Sequence, residues 1–219
     1  MSNLTVLGGD PHRLGATITD NGVNFAIFSR DAVRVLICFF ENYNSKTPYA
    51  VAELDPAKNR TGDIWHALIP EAKKGSLYLY RIDGPHDIHK GLRFDFSKYI
   101  LDPYAKALSE GSVYKHLASS PVLETDNMPS SSKEPREIEL FPKCVVVDDN
   151  DFDWQGDVPL NRPLSESIIY EVHLKGFTAS ETSNVMAGGT YKGFIEKIPY
   201  LKQLGITAVE LLPIFEFDE

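Results

Sequence analysis

The sequence predicts a mainly β protein, an antiparallel sandwich followed by a β–α–β unit, and three observations predict it. Short runs rich in aromatic and β-branched residues recur from Asn21 onward, at spacings of roughly 8–15 residues, the pattern of stacked antiparallel sheets. A Pro- and Asp-rich stretch, "DDNDFDWQGDVPLNRPLSES", then interrupts the chain. Beyond it the hydrophobic period changes from two residues to that of a helix.

The elements of the first part follow in order. "GVNFAIFSR" puts Val23, Phe25 and Ile27 on one face of a strand. "VRVLICFF" puts Val33, Val35, Ile37 and Phe39 on one face. Its other face, Leu36, Cys38 and Phe40, is also apolar. That strand is therefore expected to be covered on both sides. "YAVAEL", "DIWHALIP", "SLYLYRIDG" and, after a long gap, "KCVVVD" at 143–148 continue the series. Between them "GPHDIHKGLRFDFSKYILDPYAKAL" is punctuated by Gly-Pro and Asp-Pro, with a short helix expected at Tyr104–Leu108. "ETDNMPSSSKEPRE" (124–137) reads as a mobile surface loop.

In the last third, "IIYEVHLKGF" reads as a strand over Ile168–Leu174. "TYKGFIEKIPYLKQLG" reads as a helix, with Phe194, Ile198 and Leu201 on one face. Thr190 suits the N-cap and Gly205 the stop just past the C-terminus. Pro199 predicts a break near Ile198, with a second short turn opening on the proline. Thr207–Leu212 is the second strand. The two strands should be parallel. Two parallel strands and one helix leave faces and edges uncovered, so this segment is expected to begin something larger. The boundaries expected are a tail at 1–9, the sandwich at 10–150, a linker at 151–166 and the β–α–β at 167–219.

Composition narrows the partners. The chain has 219 residues, 42% of them hydrophobic, with 22 basic against 31 acidic residues. No basic patch stands out, which argues against nucleic acid and against an anionic membrane surface. No apolar run approaches the roughly 20 residues of a membrane span. Cys38 and Cys144 lie in strand-like runs without CxxC spacing and are expected as buried reduced thiols. The N-terminus lacks the pattern of a secretory signal, so the expected location is cytoplasmic.

"IIYEVHLKGFT" followed by "GGTYKGFIEKIPYLKQLGITAVELLP" resembles the first barrel strand, helix and second strand of the α-amylase superfamily, with isoamylase-type glycogen debranching enzymes as the nearest type. Upstream, "PHRLGATITDNGVNFAIFSRDAVRVLICFF", "DIWHALIP", "LYLYRIDGP" and "RFDFSKYILDPYAKAL" resemble the N-terminal sandwich of the same enzymes. The resemblance implies an immunoglobulin-like, carbohydrate-binding-type β-sandwich and then the beginning of a (β/α)₈ barrel. It implies hydrolysis of α-1,6 branch linkages in glycogen, amylopectin or limit dextrin by the complete enzymes, without a cofactor. A complete barrel typically needs about 250 residues, so the resemblance implies a chain cut short. The family's catalytic Asp, Glu and Asp lie on later strands. No position here matches them, so no catalytic residue is assigned and the chain alone is expected to be inactive. The alternative is a stand-alone glucan-binding module with a vestigial barrel tail.

Four residues are substrate-binding candidates: Trp65, Glu171, His173 and Glu210. Trp65, like Trp154, Tyr78 and Tyr80, offers an aromatic face for a glucose ring; the competing reading makes it core. Glu171, His173 and Glu210 should face the barrel interior, either as pocket wall or as a supporting hydrogen-bond network. "HDIH" (His86 to His89) and "DDNDFD" (148–153) lack the further ligands of a zinc or calcium site, so no metal is expected. Exposed barrel strands would favour self-association.

Overall fold

The computed structural model describes residues 2–110 and 141–215. The chain divides into two compact units, Met1–Phe152 and Asp153–Glu219. The segment 124–137, expected as a mobile loop, lies outside the described residues.

The first unit contains, in chain order, β1 (Ser2–Asn3), β2 (Gly15–Thr19), β3 (Gly22–Phe28), β4 (Arg34–Phe40) and β5 (Ala50–Glu53). They are followed by β6 (Arg60–Thr61), β7 (Ile64–Ile69), β8 (Leu77–Asp83), β9 (His86–Asp87), β10 (Leu92–Arg93) and β11 (Cys144–Val145). One sheet runs β1-β5-β4-β8-β11, a second β2-β3-β7-β6, and β9 pairs with β10 as a small ribbon. All these pairs are antiparallel except β1 with β5. The predicted mainly β, antiparallel sandwich is the fold observed.

The alternation in β4 explains the layering. Val35, Ile37 and Phe39 pair with Ile82, Tyr80 and Tyr78 of β8 and share one face with them. That face meets the second sheet, where Phe25 packs edge-on against Phe39 at 5.6 Å and Tyr78 at 4.9 Å. Leu36, Cys38 and Phe40 are buried on the opposite face, as expected. Their cover is the segment after the β9–β10 ribbon: Tyr99 packs on Phe40 at 5.6 Å and Phe96 lies under Arg81 at 4.1 Å. Val33 is the exception. It precedes the strand and is 64% exposed, its N–H donating to the Asp83 carbonyl.

Both thiols are buried and free. Burial pushes each up to about 12. Cys38 pairs with Leu79 and Cys144 with the next residue along β8, Tyr78, so the two point to opposite faces of the sheet.

Residues 2–9 do not trail free. Ser2 and Asn3 add a strand beside β5, and Leu7 exchanges backbone hydrogen bonds with Leu68. The helix expected at Tyr104–Leu108 is absent. The Asp102 carboxylate accepts the Tyr104 N–H at 2.8 Å and the Asp102 carbonyl accepts that of Ala105, which closes a turn. Leu108 then bridges to Cys144.

The second unit holds β12 (Ile169–Val172), α1 (Leu174–Thr178), α2 (Tyr191–Glu196), α3 (Ile198–Gln203) and β13 (Ala208–Leu211). β12 and β13 are parallel and in register from Ile169↔Ala208 to Val172↔Leu211. Thr190 caps α2 by accepting the Gly193 N–H. The helical stretch breaks at Lys197, with Pro199 in the first turn of α3. Gly205, at φ +82°, ends it. The Gly205 N–H donates to the Lys202 carbonyl and the Ile206 N–H to that of Leu201, a Schellman closure. On one sheet face Tyr170 meets Phe177 of α1 at 6.0 Å, and Phe177 meets Phe194 of α2 at 5.3 Å.

The first strand of this unit is shorter than the predicted Ile168–Leu174, and the chain is helical from Leu174 to Thr178. His173 causes the change. Its Nδ1 accepts the Gly176 N–H at 2.9 Å and so caps α1. The chain turns there instead of continuing extended.

Candidate functional site

Two places in the described residues can bear function. The first is the open face of the β12–β13 pair. Side chains alternate along each strand, so Ile169 and Glu171 share a face with Ala208 and Glu210. The helices cover the other face. Glu171 and Glu210 are direct partners in register, and both are exposed. Glycoside hydrolysis needs two carboxyl groups facing each other across a glycosidic bond, about 5–5.5 Å apart in retaining enzymes. Two neighbouring carboxylates on one side of a sheet do not provide that arrangement. They can accept hydrogen bonds from hydroxyls or from cationic side chains laid across the face.

His173 does not join them. The sequence reading placed it beside Glu171 in the barrel interior, but it lies past the end of β12 and its Nδ1 caps α1. Trp65, the fourth candidate, is fully buried, and its indole N–H donates to the Ser29 carbonyl at 3.1 Å. Arg60 lies 5.1 Å from its ring centroid. The core reading holds for Trp65, and for Tyr78 and Tyr80, which are equally inaccessible. None of the three presents a face to a sugar. Trp154 is exposed.

The second place is a cleft of about 460 Å³ in the sandwich unit. One wall is the end of β3 and the turn after it, residues 27–31; the other is the segment 91–103. Ile27 and Ile82 are buried at its base, with Leu92 and Leu101 half-buried above them. Arg30, Asp31, Arg93 and Lys98 stand around the opening. Arg30 and Asp31 lie 3.6 Å apart, and Lys98 lies 3.6 Å from Asp95. Phe28 lines the same cleft and is 55% exposed. It is out of phase with Val23, Phe25 and Ile27, the core-facing set of its own strand. That was the signal available in the sequence, and it went unused.

The fold is thus an antiparallel sandwich in the first unit and a parallel β–α–β in the second. Residues 13–105 match the family model described as carbohydrate-binding module 48, the isoamylase N-terminal domain. The chain as a whole is similar to isoamylase-type debranching enzymes. It is 41% identical to isoamylase 1, chloroplastic, of Oryza sativa subsp. japonica over 216 residues, covering 98% of this chain and 25% of the relative. It is 37% identical to the glycogen debranching enzyme of Dickeya chrysanthemi over 212 residues, 95% of this chain and 30% of that protein. The chain thus spans about a quarter of the length of the first of these relatives. Among solved structures, the Group B Streptococcus pullulanase SAP in complex with maltotetraose has a TM-score of 0.62 at 24% identity, covering 94% of this chain and 24% of that one. The Paenibacillus barengoltzii pullulanase complexed with maltohexaose and α-cyclodextrin has a TM-score of 0.65 at 18% identity, covering 95% and 28%. The structural likeness shows the shared fold.

Proposed function

We propose that this chain is the glucan-recognising sandwich and the first β–α–β of a debranching hydrolase acting on α-1,6 linkages of branched α-glucans. The observation that carries the reading is the continuity of the match: 41% identity extends over 216 residues, from the sandwich through β13. A sandwich borrowed as a stand-alone binding module would have no reason to keep the Thr190 cap, the Pro199 break and the Gly205 stop of the following helices.

The hydrolytic chemistry is not assigned to residues of this chain. The one neighbouring carboxylate pair on the sheet face, Glu171 and Glu210, lies side by side and open to water. Its role in this reading is to hydrogen-bond the groups that complete the barrel wall. The exposed strand face also supports self-association of the isolated chain.

The test is a chimera. This chain replaces the matching residues of the Dickeya chrysanthemi debranching enzyme, and reducing-sugar release from amylopectin is measured. A soluble chimera should debranch, whereas the 219-residue chain alone should release no more than a heat-killed control. A folded chimera without debranching activity overturns the proposal.

A further inference from the structure

We propose that Met186, in the loop between α1 and α2, is a substrate-contacting residue of the debranching reaction and packs on the apolar face of a glucosyl unit. The inference rests on the debranching reading above and adds a residue of this chain that touches the substrate.

Two observations carry it. The first is place. β12 and β13 are parallel, and the chain from His173 to Thr190 connects the C-terminal end of β12 to α2. In a (β/α)₈ barrel the active site is built from the loops that follow the strands on that side. The second is construction. Thr178 is 1% exposed; its Oγ1 accepts the Gly189 N–H at 2.9 Å and its carbonyl accepts the Ser183 hydroxyl at 3.0 Å. The Glu196 carboxylate accepts the N–H groups of Met186 at 3.0 Å and Ala187 at 3.4 Å, and the Thr190 hydroxyl donates to the Ala187 carbonyl at 2.7 Å. Gly193 of α2 lies so close beneath the loop that an added Cβ would stand 2.2 Å from the Ala187 carbonyl oxygen. The backbone of the loop is therefore fixed on both sides of Met186, while the Met186 side chain is 96% exposed. A lone apolar side chain on a surface needs no explanation. One presented by a fixed loop at the strand ends of a barrel is placed to meet a ligand.

The chemistry fits a sugar ring. A pyranose presents C–H groups on one face, and an unbranched, polarizable thioether moulds to such a surface without requiring a hydrogen bond. The Glu196 carboxylate, the nearest charge bonded to the loop backbone, is spent on two N–H groups. At this point the loop thus offers apolar surface rather than charge. Because the loop is held beforehand, seating the substrate orders little beyond the one side chain. Such a contact is equally strong in the bound substrate and in the transition state, so it acts on KM rather than on kcat.

The experiment uses the chimera described above, which carries the whole 219-residue chain. Met186→Ala should raise KM for amylopectin about fivefold and leave kcat within about twofold. Met186→Leu keeps the apolar bulk and should hold KM within about twofold of the parent. A second measurement needs no variant: hydrogen peroxide oxidises the Met186 thioether to the sulfoxide, and mass spectrometry follows the rate. Saturating amylopectin should slow that oxidation at least about threefold. An unchanged KM in Met186→Ala, or an equal rise in Met186→Ala and Met186→Leu, would overturn the contact, and the activity of the parent chimera would leave the debranching reading standing. Oxidation of Met186 at the same rate with and without amylopectin in an active chimera would also overturn it. A folded parent chimera without activity would overturn the debranching reading and this inference together.

Discussion

The guanidinium of Arg81 lies 4.1 Å from the centroid of the Phe96 ring, and its Nε and Nη2 both donate to the Phe96 carbonyl, at 2.9 and 2.7 Å. Arg34, on the neighbouring strand, reaches the same ring at 4.8 Å while its fork holds the Glu53 carboxylate at 2.6 and 2.8 Å. One aromatic ring is therefore shared by two arginines of β4 and β8. This contact holds the 94–102 segment over Leu36, Cys38 and Phe40, and with it one wall of the cleft.

Arg81→Met should therefore destabilise the sandwich by about 2–4 kcal/mol. Hydrogen bonds from a charged donor are worth about 1.5–3 kcal/mol and a partly desolvated cation–π contact about 0.5–2. Arg81→Lys keeps the charge but loses the planar fork, and should recover less than half of that. Arg34→Met should cost less, because its ion pair is open to solvent. Urea unfolding followed by near-UV circular dichroism measures all three. A cost below about 0.5 kcal/mol for Arg81→Met would place it with ordinary surface substitutions and remove this account of how the segment is held.

A latch of buried polar side chains holds residues 7–10. Asn59 donates to the Leu7 carbonyl at 2.9 Å, Asn24 accepts the Asp10 N–H at 2.7 Å, and His66 Nδ1 accepts the Gly9 N–H at 3.2 Å. With Nδ1 accepting, the neutral ring donates through Nε2 to Thr61 Oγ1, 2.9 Å away. Burial lowers the His66 pKa, opposed by the nearby Asp10 carboxylate. The fold favours the neutral ring, so the contribution is complete above the unfolded value near 6.5 and fades as pH falls through the lower folded value. Amides of residues 7–10 should exchange faster at pH 5 than at pH 7.5 after correction for intrinsic rates, and His66→Gln should flatten that dependence. Gly9→Ala should open the latch at any pH, because the added Cβ would lie 2.7 Å from the Ala67 carbonyl carbon. Unchanged protection across this pH range would show that His66 does not control the segment.

Lys143 carries a cost that base should relieve. It is fully buried, with Nζ donating to the carbonyls of Tyr43 at 2.6 Å and Phe141 at 2.9 Å, 5.5 Å from the Phe40 ring. Burial pushes its ammonium down to about 8. The unfolded chain then binds the extra proton between about pH 8 and 10.5, so stability relative to Lys143→Met should rise with pH across that window. The gain should be on the order of 2–3 kcal/mol, at 1.36 kcal/mol per pKa unit. Paired urea titrations at pH 7.5 and pH 10 measure it. A difference that falls with pH would show that the charged hydrogen bonds to the two carbonyls outweigh desolvation.

The sequence revealed most where one strand or helix carries its own pattern. The alternation from Val23 to Phe40 predicted both sheets' central strands, and the second apolar face of β4 predicted cover on both sides. Thr190, Pro199 and Gly205 placed the helix start, break and stop because caps act within one turn. β2 escaped notice because "GATIT" is short and only its first two residues are buried. His173 was misplaced because a cap three residues ahead competes with strand continuation, and alternation alone cannot decide between them. The burial of Lys143 depends on a carbonyl 100 positions away. The cleft brings together residues from three separate segments, so of its parts only the outward phase of Phe28 was readable in advance.

The last expectation concerns the second unit. Its sheet has two strands, β12 and β13, with helices against one face only. The other face presents Ile169, Glu171, Ala208 and Glu210 to solvent, and Ile168, Val209, Leu212 and Ile214 are exposed nearby. Each large apolar side chain left in water forfeits about 1.5–3 kcal/mol of burial. Several together rival the whole net stability of a domain, about 5–15 kcal/mol. Among the described residues this sheet has two strands, and open strand edges invite pairing with another chain. The sandwich by contrast closes its own core around Phe25, Phe39, Trp65, Tyr78 and Tyr80. Hydrogen exchange on the monomeric 219-residue chain should therefore show β4 and β8 strongly protected, while β12 and β13 exchange at least about a hundredfold faster, as locally opening segments do. Protection of β12 and β13 that rises with protein concentration would mark self-association through this face. Protection equal to that of β4 at every dilution would show that the β–α–β unit is a self-sufficient domain, and the reading of it as the opening of a larger barrel would lose its physical support.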